Sequence, residues 1–263
     1  MVTMVKRILS VDFDYFYPDS APYDWGHSEN YSPVLANMLW HARAGNVNLM
    51  TGDDALESYR PSVPTNFWSR VLKNKPRAYI ADSHVEIWDL FEDQPGSSNV
   101  VVSYDAHHDC GYGIKTPEDA LKISSVDCGS WGLMGKVTGR IRSLQLYYPA
   151  WRKKAPETLS EVHGIFDVPA QTKYALPAKP EAFDLVFICR SGAWTPPWYD
   201  EEFFKFVESS GLEYEAMDEV EEPRSPDMVQ AKHLAKEYRK MVANFRSNKE
   251  GSNGTVARDS KKG

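Results

Sequence analysis

The segment Asp105-Ala106-His107-His108-Asp109 contains three side chains of the types that bind metal ions. It follows an apolar run that ends at Tyr104 and predicts a buried β-strand. Asp105, His107 and Asp109 are spaced two residues apart, and in an extended segment such side chains point the same way. The spacing therefore predicts an ion site at a strand end, and ion sites of this kind are typical of hydrolytic chemistry.

Two other predicted strand ends supply similar side chains. The run Ile8 to Val11 leads into Asp12-Phe13-Asp14, and a short apolar run from Arg77 leads into Asp82-Ser83-His84. The three strand ends together offer four carboxylates and two imidazoles: Asp12, Asp14, His84, Asp105, His107 and Asp109. This set lacks a thiolate, so it matches hard divalent ions better than structural zinc. Its size fits two ions with bridging carboxylates, since two dications would relieve the repulsion among four acids.

Apolar runs and turn signals predict the elements that must position these residues. Strands are expected over 7–13, 77–81, 98–105, 141–148 and 183–189, with a short edge strand over 213–217. Helices are expected over 34–43, 66–72, 85–91, 199–209 and 226–245. This alternation predicts an α/β fold, a three-layer α/β/α sandwich with a mainly parallel sheet. Ligands of such sheets bind at the carboxyl ends of the strands, where the six side chains lie.

Composition limits the classes of function. The 263 residues are 42% hydrophobic, enough for one α/β domain over 1–245, followed by a polar tail over 246–263 that we expect to be disordered. A net charge of −7 argues against a nucleic-acid binder. No apolar stretch has the length of a membrane span, and the first residues lack a signal-peptide core. Three widely spaced cysteines, Cys110, Cys128 and Cys189, predict free thiols in a reducing cytoplasm.

The motifs resemble those of one family. Asp-Ala-His-His-Asp resembles the Asp-x-His-x-Asp signature of the arginase/agmatinase (ureohydrolase) superfamily of binuclear manganese hydrolases. The segment Ser10 to Asp14 resembles that family's Ser-x-Asp-x-Asp motif, and Ala81 to His84 resembles its Gly-Gly-Asp-His motif. The runs Asp12 to Phe16 and Asp127 to Trp131 are most similar to the branch that includes the peptide arginases, which convert arginine side chains in peptides to ornithine. The resemblance is at the level of motifs and spans roughly two-thirds of the chain.

The resemblance implies an arginase/deacetylase-like fold and two Mn²⁺ ions per chain. Each ion would have one histidine and one aspartate of its own, with two aspartates shared: His84 with Asp109, His107 with Asp14, and Asp12 and Asp105 as bridges. Hydroxide would attack the guanidinium carbon of arginine, peptidyl-arginine or a related guanidino compound and release urea. Asp14 would stabilise the tetrahedral intermediate, and Asp109 is the second candidate catalytic residue.

Two departures from the family pattern have consequences. The Ser-x-Asp-x-Asp strand comes late in the family but opens this chain, which predicts a circular permutation. Because the two acidic strands are neighbours in the family fold, we expect Asp12 and Asp105 to lie side by side. The family also has a histidine proton shuttle soon after Asp-x-His-x-Asp, whereas no histidine lies between His108 and His163. The shuttle residue is therefore unassigned, with Asp127 or a tyrosine as substitutes.

Two other functions remain open. A zinc amidohydrolase of the related deacetylase type would use a single zinc and a pair of general-base histidines, for which His107-His108 is available. A non-catalytic binding module would keep the fold without turnover. The sequence does not indicate an oligomeric state.

Three segments near the predicted site also allow more than one interpretation. Arg190 could bind a substrate carboxylate or form a structural salt bridge. Asp127 to Trp131 could form a substrate wall or a turn with a packed tryptophan. The acidic run from Asp218 to Glu222 is interpreted as solvated surface, and His108 as a structural or supporting side chain.

Overall fold

The computed structural model describes residues 5–18, 40, 43, 59–91, 98–112, 114, 117–122, 125–154, 173–220 and 222–224, with five single positions between 229 and 240. The tail predicted over 246–263 lies outside these residues, as do most positions of the helices predicted over 34–43 and 226–245. Residues 40 and 43 and the five single positions are helical. The extent of the domain, 1–245, stays a prediction.

A single sheet dominates the described part of the chain. Its six strands are β1 (Val5–Asp12), β2 (Arg77–Ala81), β3 (Ser98–Tyr104), β4 (Ile141–Tyr147), β5 (Leu185–Cys189) and β6 (Tyr214–Ala216). They are all parallel, in the order β4-β3-β1-β5-β2-β6. Each predicted strand is confirmed, with ends that differ by up to two residues. The expectation of a mainly parallel sheet is therefore met by a fully parallel one in this part of the chain.

Short helices connect the strands. The described α-helices are α1 (Phe67–Val71), α2 (Pro117–Ala120), α3 (Trp131–Val137) and α4 (Asp200–Ser209). Short 3₁₀ helices cover Phe13–Phe16, His84–Leu90, Ala150–Lys153 and Pro197–Tyr199. The helix predicted over 85–91 is thus a 3₁₀ helix, and Ser83 caps its start because the Ser83 side chain accepts from the Val85 N–H. Among the described helices, none is both long and apolar enough to cross a membrane.

Alternate residues of the strands point to opposite sides of the sheet, and apolar side chains cover both faces. Leu9 and Val11 of β1 belong to one apolar cluster, which includes Phe203 of α4. Ile8 of the same strand belongs to a second cluster, which includes Trp131 of α3. All five side chains are 0% exposed. The predicted three-layer α/β arrangement is confirmed.

The strand register brings the acidic segments together. β1 lies between β3 and β5, with Val11 opposite Tyr104 and Asp12 opposite Cys189. Asp12 therefore ends its strand at the level where β3 gives way to Asp105. The two segments are far apart in the sequence, and the parallel pairing places them side by side as expected.

Candidate metal centre

The end of β1 turns sharply and directs two carboxylates to the same edge of the sheet. Asp12 caps the 3₁₀ helix that follows, because its Oδ1 accepts the backbone N–H of Asp14 at 2.9 Å. Asp14 in turn accepts the backbone N–H of Ala106 through Oδ1 at 3.0 Å. The exit of β1 is thereby tied to the exit of β3.

The segment after β3 is a loop and not an extended strand. Asp105 Oδ1 accepts the backbone N–H of His107 at 2.7 Å, and Asp109 has the left-handed backbone angle φ = 50°. The prediction that Asp105, His107 and Asp109 point the same way is therefore wrong. The bend turns His107 towards Asp14 and Asp109 towards His84, with Asp105 between them. The three side chains still lie at one centre, but they divide between two sets of ligands.

The first set, here called the His84 site, consists of His84, Asp12, Asp105 and Asp109. His84 Nδ1 lies 3.2 Å from Asp12 Oδ2, 3.1 Å from Asp105 Oδ2 and 3.0 Å from Asp109 Oδ2. The other ring nitrogen, Nε2, forms a 2.7 Å hydrogen bond with Ser10 Oγ. Ser10 thereby fixes the ring so that Nδ1 faces the three carboxylates, which is the usual support for a metal-binding histidine.

The second set, here called the His107 site, consists of His107, Asp14 and Asp105. His107 Nδ1 lies 2.8 Å from Asp14 Oδ2 and 3.8 Å from Asp105 Oδ1. Asp105 therefore offers one oxygen to each site, which is the geometry expected of a bridging ligand. Asp12 Oδ2 faces the His84 site, and Asp12 groups with His84 and Asp105 whereas the group around His107 is completed by Asp14 and Asp105, so the bridging role of Asp12 stays a prediction.

The electrostatics of the centre favour added cations. Its four carboxylates are at most 6% exposed. If all four are ionised, their charge exceeds that of even two protonated imidazoles, and such an excess is costly in a buried site. Burial, together with the nearby Asp14 carboxylate, raises the pKa of Asp12 to about 7. Burial and the Asp109 carboxylate raise the pKa of Asp105 well above its usual value. These shifts mean that the folded chain holds extra protons here when no other cation is present.

The neighbouring charges also shift the pKa values of His84 and Asp14. Burial opposes protonation of His84, but hydrogen bonds with the Asp105, Asp109 and Asp12 carboxylates raise its pKa well above the usual value. Burial would raise the pKa of Asp14, but the neighbouring His107 lowers it overall. A buried cluster of oxygen and imidazole donors with excess negative charge suits divalent cations. The residues present therefore fit the predicted metal centre, with one imidazole per site.

His108 plays a different part from His107. It is 1% exposed, its Nδ1 accepts the backbone N–H of Cys110 at 2.9 Å, and its ring stacks on Tyr112 with centroids 4.3 Å apart. The ring thus holds the loop after β3 in shape. The structural role expected for His108 is confirmed.

Charged side chains hold the turn that presents His84. Arg190 is 1% exposed and donates from Nε to Asp82 Oδ1 at 2.6 Å and from a terminal nitrogen to Asp200 Oδ2 at 3.1 Å. Arg190 therefore forms the structural salt bridge that was one of its two interpretations. Asp218 accepts the backbone N–H of Asp82 at 2.7 Å and that of Ser83 at 3.3 Å. The prediction of a solvated acidic surface is wrong for Asp218, whose hydrogen bonds hold the backbone that follows β2 in place.

Two residues of the quoted motifs support metal-binding side chains, a role that the sequence did not assign to them. Ser10 precedes Asp12 by two residues on the same strand face, and that spacing is the signal that would have found it. Trp131 is 0% exposed, and its indole Nε1 donates to Asp109 Oδ2 at 2.8 Å. The segment Asp127 to Trp131 therefore includes the packed tryptophan of the second interpretation.

Comparisons of the chain with protein-family models, with curated proteins and with solved structures found no match. The similarity to the ureohydrolases consequently rests on the three motifs.

Proposed function

We propose that the chain is a binuclear-metal hydrolase that cleaves a guanidinium C–N bond and releases urea. The substrate would be arginine, a peptidyl-arginine or a related guanidino compound. One observation supports this proposal above the others: the two oxygens of Asp105 face different imidazoles, His84 through Oδ2 and His107 through Oδ1. A carboxylate shared in this way suits two ions at short range, and the three motifs suggest the guanidino substrate.

The proposed chemistry uses the centre in three ways. Two divalent ions, when bound, make hydroxide available from water near neutral pH; Mn²⁺ is the ion that the resemblance implies. The four buried carboxylates offset the charge of two bound dications, so the centre does not repel a cationic guanidinium group at the same edge of the sheet. Asp14 is held by the Ala106 N–H and by His107, and its carboxylate would serve to stabilise the tetrahedral intermediate. The proton shuttle stays unassigned.

The structure disfavours a pair of general-base histidines. His107 Nδ1 faces Asp14, whereas His108 Nδ1 accepts the Cys110 N–H. The two rings therefore serve different purposes, and the zinc-dependent deacetylase alternative loses its histidine pair.

The proposal also places the protein in the cytoplasm. The structure joins none of the three cysteines, Cys110, Cys128 and Cys189, in a disulfide, and the first and third are buried. Thiols persist in a reducing compartment. Nothing in the proposal requires a nucleic acid or a membrane as partner.

The test measures ion stoichiometry and urea release on the same preparation. We expect two Mn²⁺ per chain by calorimetry and urea from at least one of arginine, agmatine and an arginine-containing peptide. Asp105→Asn should lose both ions and all turnover, because Asp105 belongs to both sites. Asp119→Asn is the matched control, since Asp119 pairs with exposed Lys122 on the surface.

Other outcomes would replace the proposal. One zinc per chain with amide hydrolysis would support the deacetylase type. Two ions without urea from any of the three substrates would support the binding module. A chain that binds no divalent ion would contradict the metal centre itself.

A further inference from the structure

We infer that Trp131 is a positioning residue that sets ion affinity at the His84 site and leaves the His107 site unaffected. The inference rests on the metal centre of the proposed function and assigns one residue to one of its two sites. Trp131 begins helix α3 and is not one of the six predicted ligands. Its role would be to hold the Asp109 carboxylate in place.

The first observation is the hydrogen bond itself. Trp131 is 0% exposed and belongs to the apolar cluster under the sheet, where an indole N–H needs an acceptor. That N–H donates to Asp109 Oδ2 at 2.8 Å, and the same oxygen lies 3.0 Å from His84 Nδ1. The Trp131 ring also packs on the His84 ring, with centroids 4.9 Å apart. One side chain therefore contacts two of the four residues of the His84 site.

The second observation is that the start of α3 also fixes the backbone of Asp109. The Gly132 N–H donates to the Asp109 carbonyl oxygen at 2.9 Å. A Cβ at Gly132 would stand 2.9 Å from that oxygen, so the close approach requires glycine. Asp109 has φ = 50°, a conformation that needs such support in a residue other than glycine. Consecutive residues of α3 thus hold the carboxylate and the carbonyl of Asp109.

This support opposes an electrostatic force. The Asp109 carboxylate is buried beside Asp12 and Asp105, which face the same imidazole nitrogen. When these carboxylates are ionised they repel one another, and loss of the indole donor would leave the Asp109 side chain less firmly held. A hydrogen bond to an ionised carboxylate is about twice as strong as a neutral one. Loss of such a supporting partner typically lowers metal affinity about 10- to 100-fold.

The effect should be confined to one site. The contacts of Trp131 with the ligand set go to Asp109 and His84, which belong to the His84 site. Trp194 packs on the other imidazole, with its ring centroid 4.6 Å from that of His107. Each imidazole therefore packs against its own tryptophan.

The experiment is a calorimetric titration of the full chain with MnCl₂, comparing Trp131→Phe with the wild type. Phenylalanine keeps an aromatic ring and removes the N–H. We expect one of two binding events to weaken about 10- to 100-fold and the other to stay within the error of the measurement. Trp68→Phe is the matched control, because Trp68 is 8% exposed and donates to the Phe206 carbonyl in the other apolar cluster. The control should keep both affinities.

The weakened event is assigned in a His107→Ala background, where the remaining event belongs to the His84 site. Melting curves in chelator separate positioning from packing. If Trp131 is purely structural, Trp131→Phe would lower the melting temperature and leave both ion affinities unchanged, which would overturn the inference.

If Trp131→Phe does not fold, Gly132→Ala makes the same test, since its Cβ would crowd the Asp109 carbonyl oxygen while the indole is kept. It should weaken the same event, and unchanged affinities would refute the role. A wild-type chain that binds no Mn²⁺ would end the proposed function and this role together, whereas two ions bound equally by wild type and variant would end this role alone.

Discussion

Without divalent ions, the protein should become less stable as the pH rises from 5.5 to 8. Asp12 contributes because burial and Asp14 raise its pKa from 3.8 to about 7, and Asp105, whose pKa burial and Asp109 raise well above its usual value, acts in the same direction. Between these pH values the folded chain holds a proton that the unfolded chain has lost, so unfolding becomes easier as pH increases. His84 acts in the same direction, because its raised pKa gives stability that is lost as the pH rises through the folded value. Asp14 acts oppositely, but its lowered pKa matters only in acid, below this range.

The size of the effect follows from the Asp12 shift. About three pKa units correspond to about 4 kcal/mol over the whole range, at about 1.36 kcal/mol per unit. The unfolded carboxyl is already ionised at pH 5.5, so the part between pH 5.5 and the folded pKa is about 2 kcal/mol. Asp12→Asn cannot ionise, and it should remove that part of the slope.

The assay is urea denaturation in chelator at pH 5.5 and pH 8, with Asp119→Asn as the surface control that keeps the wild-type slope. Excess Mn²⁺ at pH 8 should restore the lost free energy of unfolding, because the ions replace the protons. A wild-type stability that stays constant or increases over this range would refute the reasoning, as would an Asp12→Asn variant with an unchanged slope.

Three further substitutions test the supports of the centre. Ser10→Ala removes the partner of His84 Nε2 and should weaken Mn²⁺ binding about 10-fold in calorimetry, without loss of the fold. Arg190→Met leaves the Asp82 carboxylate without its guanidinium, and the free energy of unfolding should fall by about 3 kcal/mol in urea denaturation. Gly192→Ala places a Cβ 2.6 Å from the Asp82 carboxylate oxygens and should lower the stability by about 1–3 kcal/mol, seen as a lower melting temperature; wild-type melting would contradict the observed close packing.

The sequence predicted the fold from strong local patterns. The run Val100 to Tyr104 is mainly apolar and bounded by polar residues, and it forms the last five residues of β3, of which all but the half-buried Val100 are buried. The strand predicted over 77–81 has the observed bounds, Arg77–Ala81. Such runs are decided by residues close together in the chain, so a single sequence is enough to find them. The 3₁₀ form of His84–Leu90 was missed, because helical spacing does not distinguish it from an α-helix.

The sequence by itself also determined the chemical types of the candidate site, the carboxylates and imidazoles that follow three strands. Their spacing did not determine how they divide, which the family resemblance implied and only the tertiary structure explains. Asp105, His107 and Asp109 separate between two sites because a loop with a left-handed residue replaces the extended segment that their spacing suggested. The supports of the centre were equally hidden, since Trp131 is 22 residues from Asp109 and Asp218 is 136 residues from Asp82. Spacing along the chain fixes side-chain direction only while the backbone is regular, whereas loop shape and the order of strands depend on packing between distant segments.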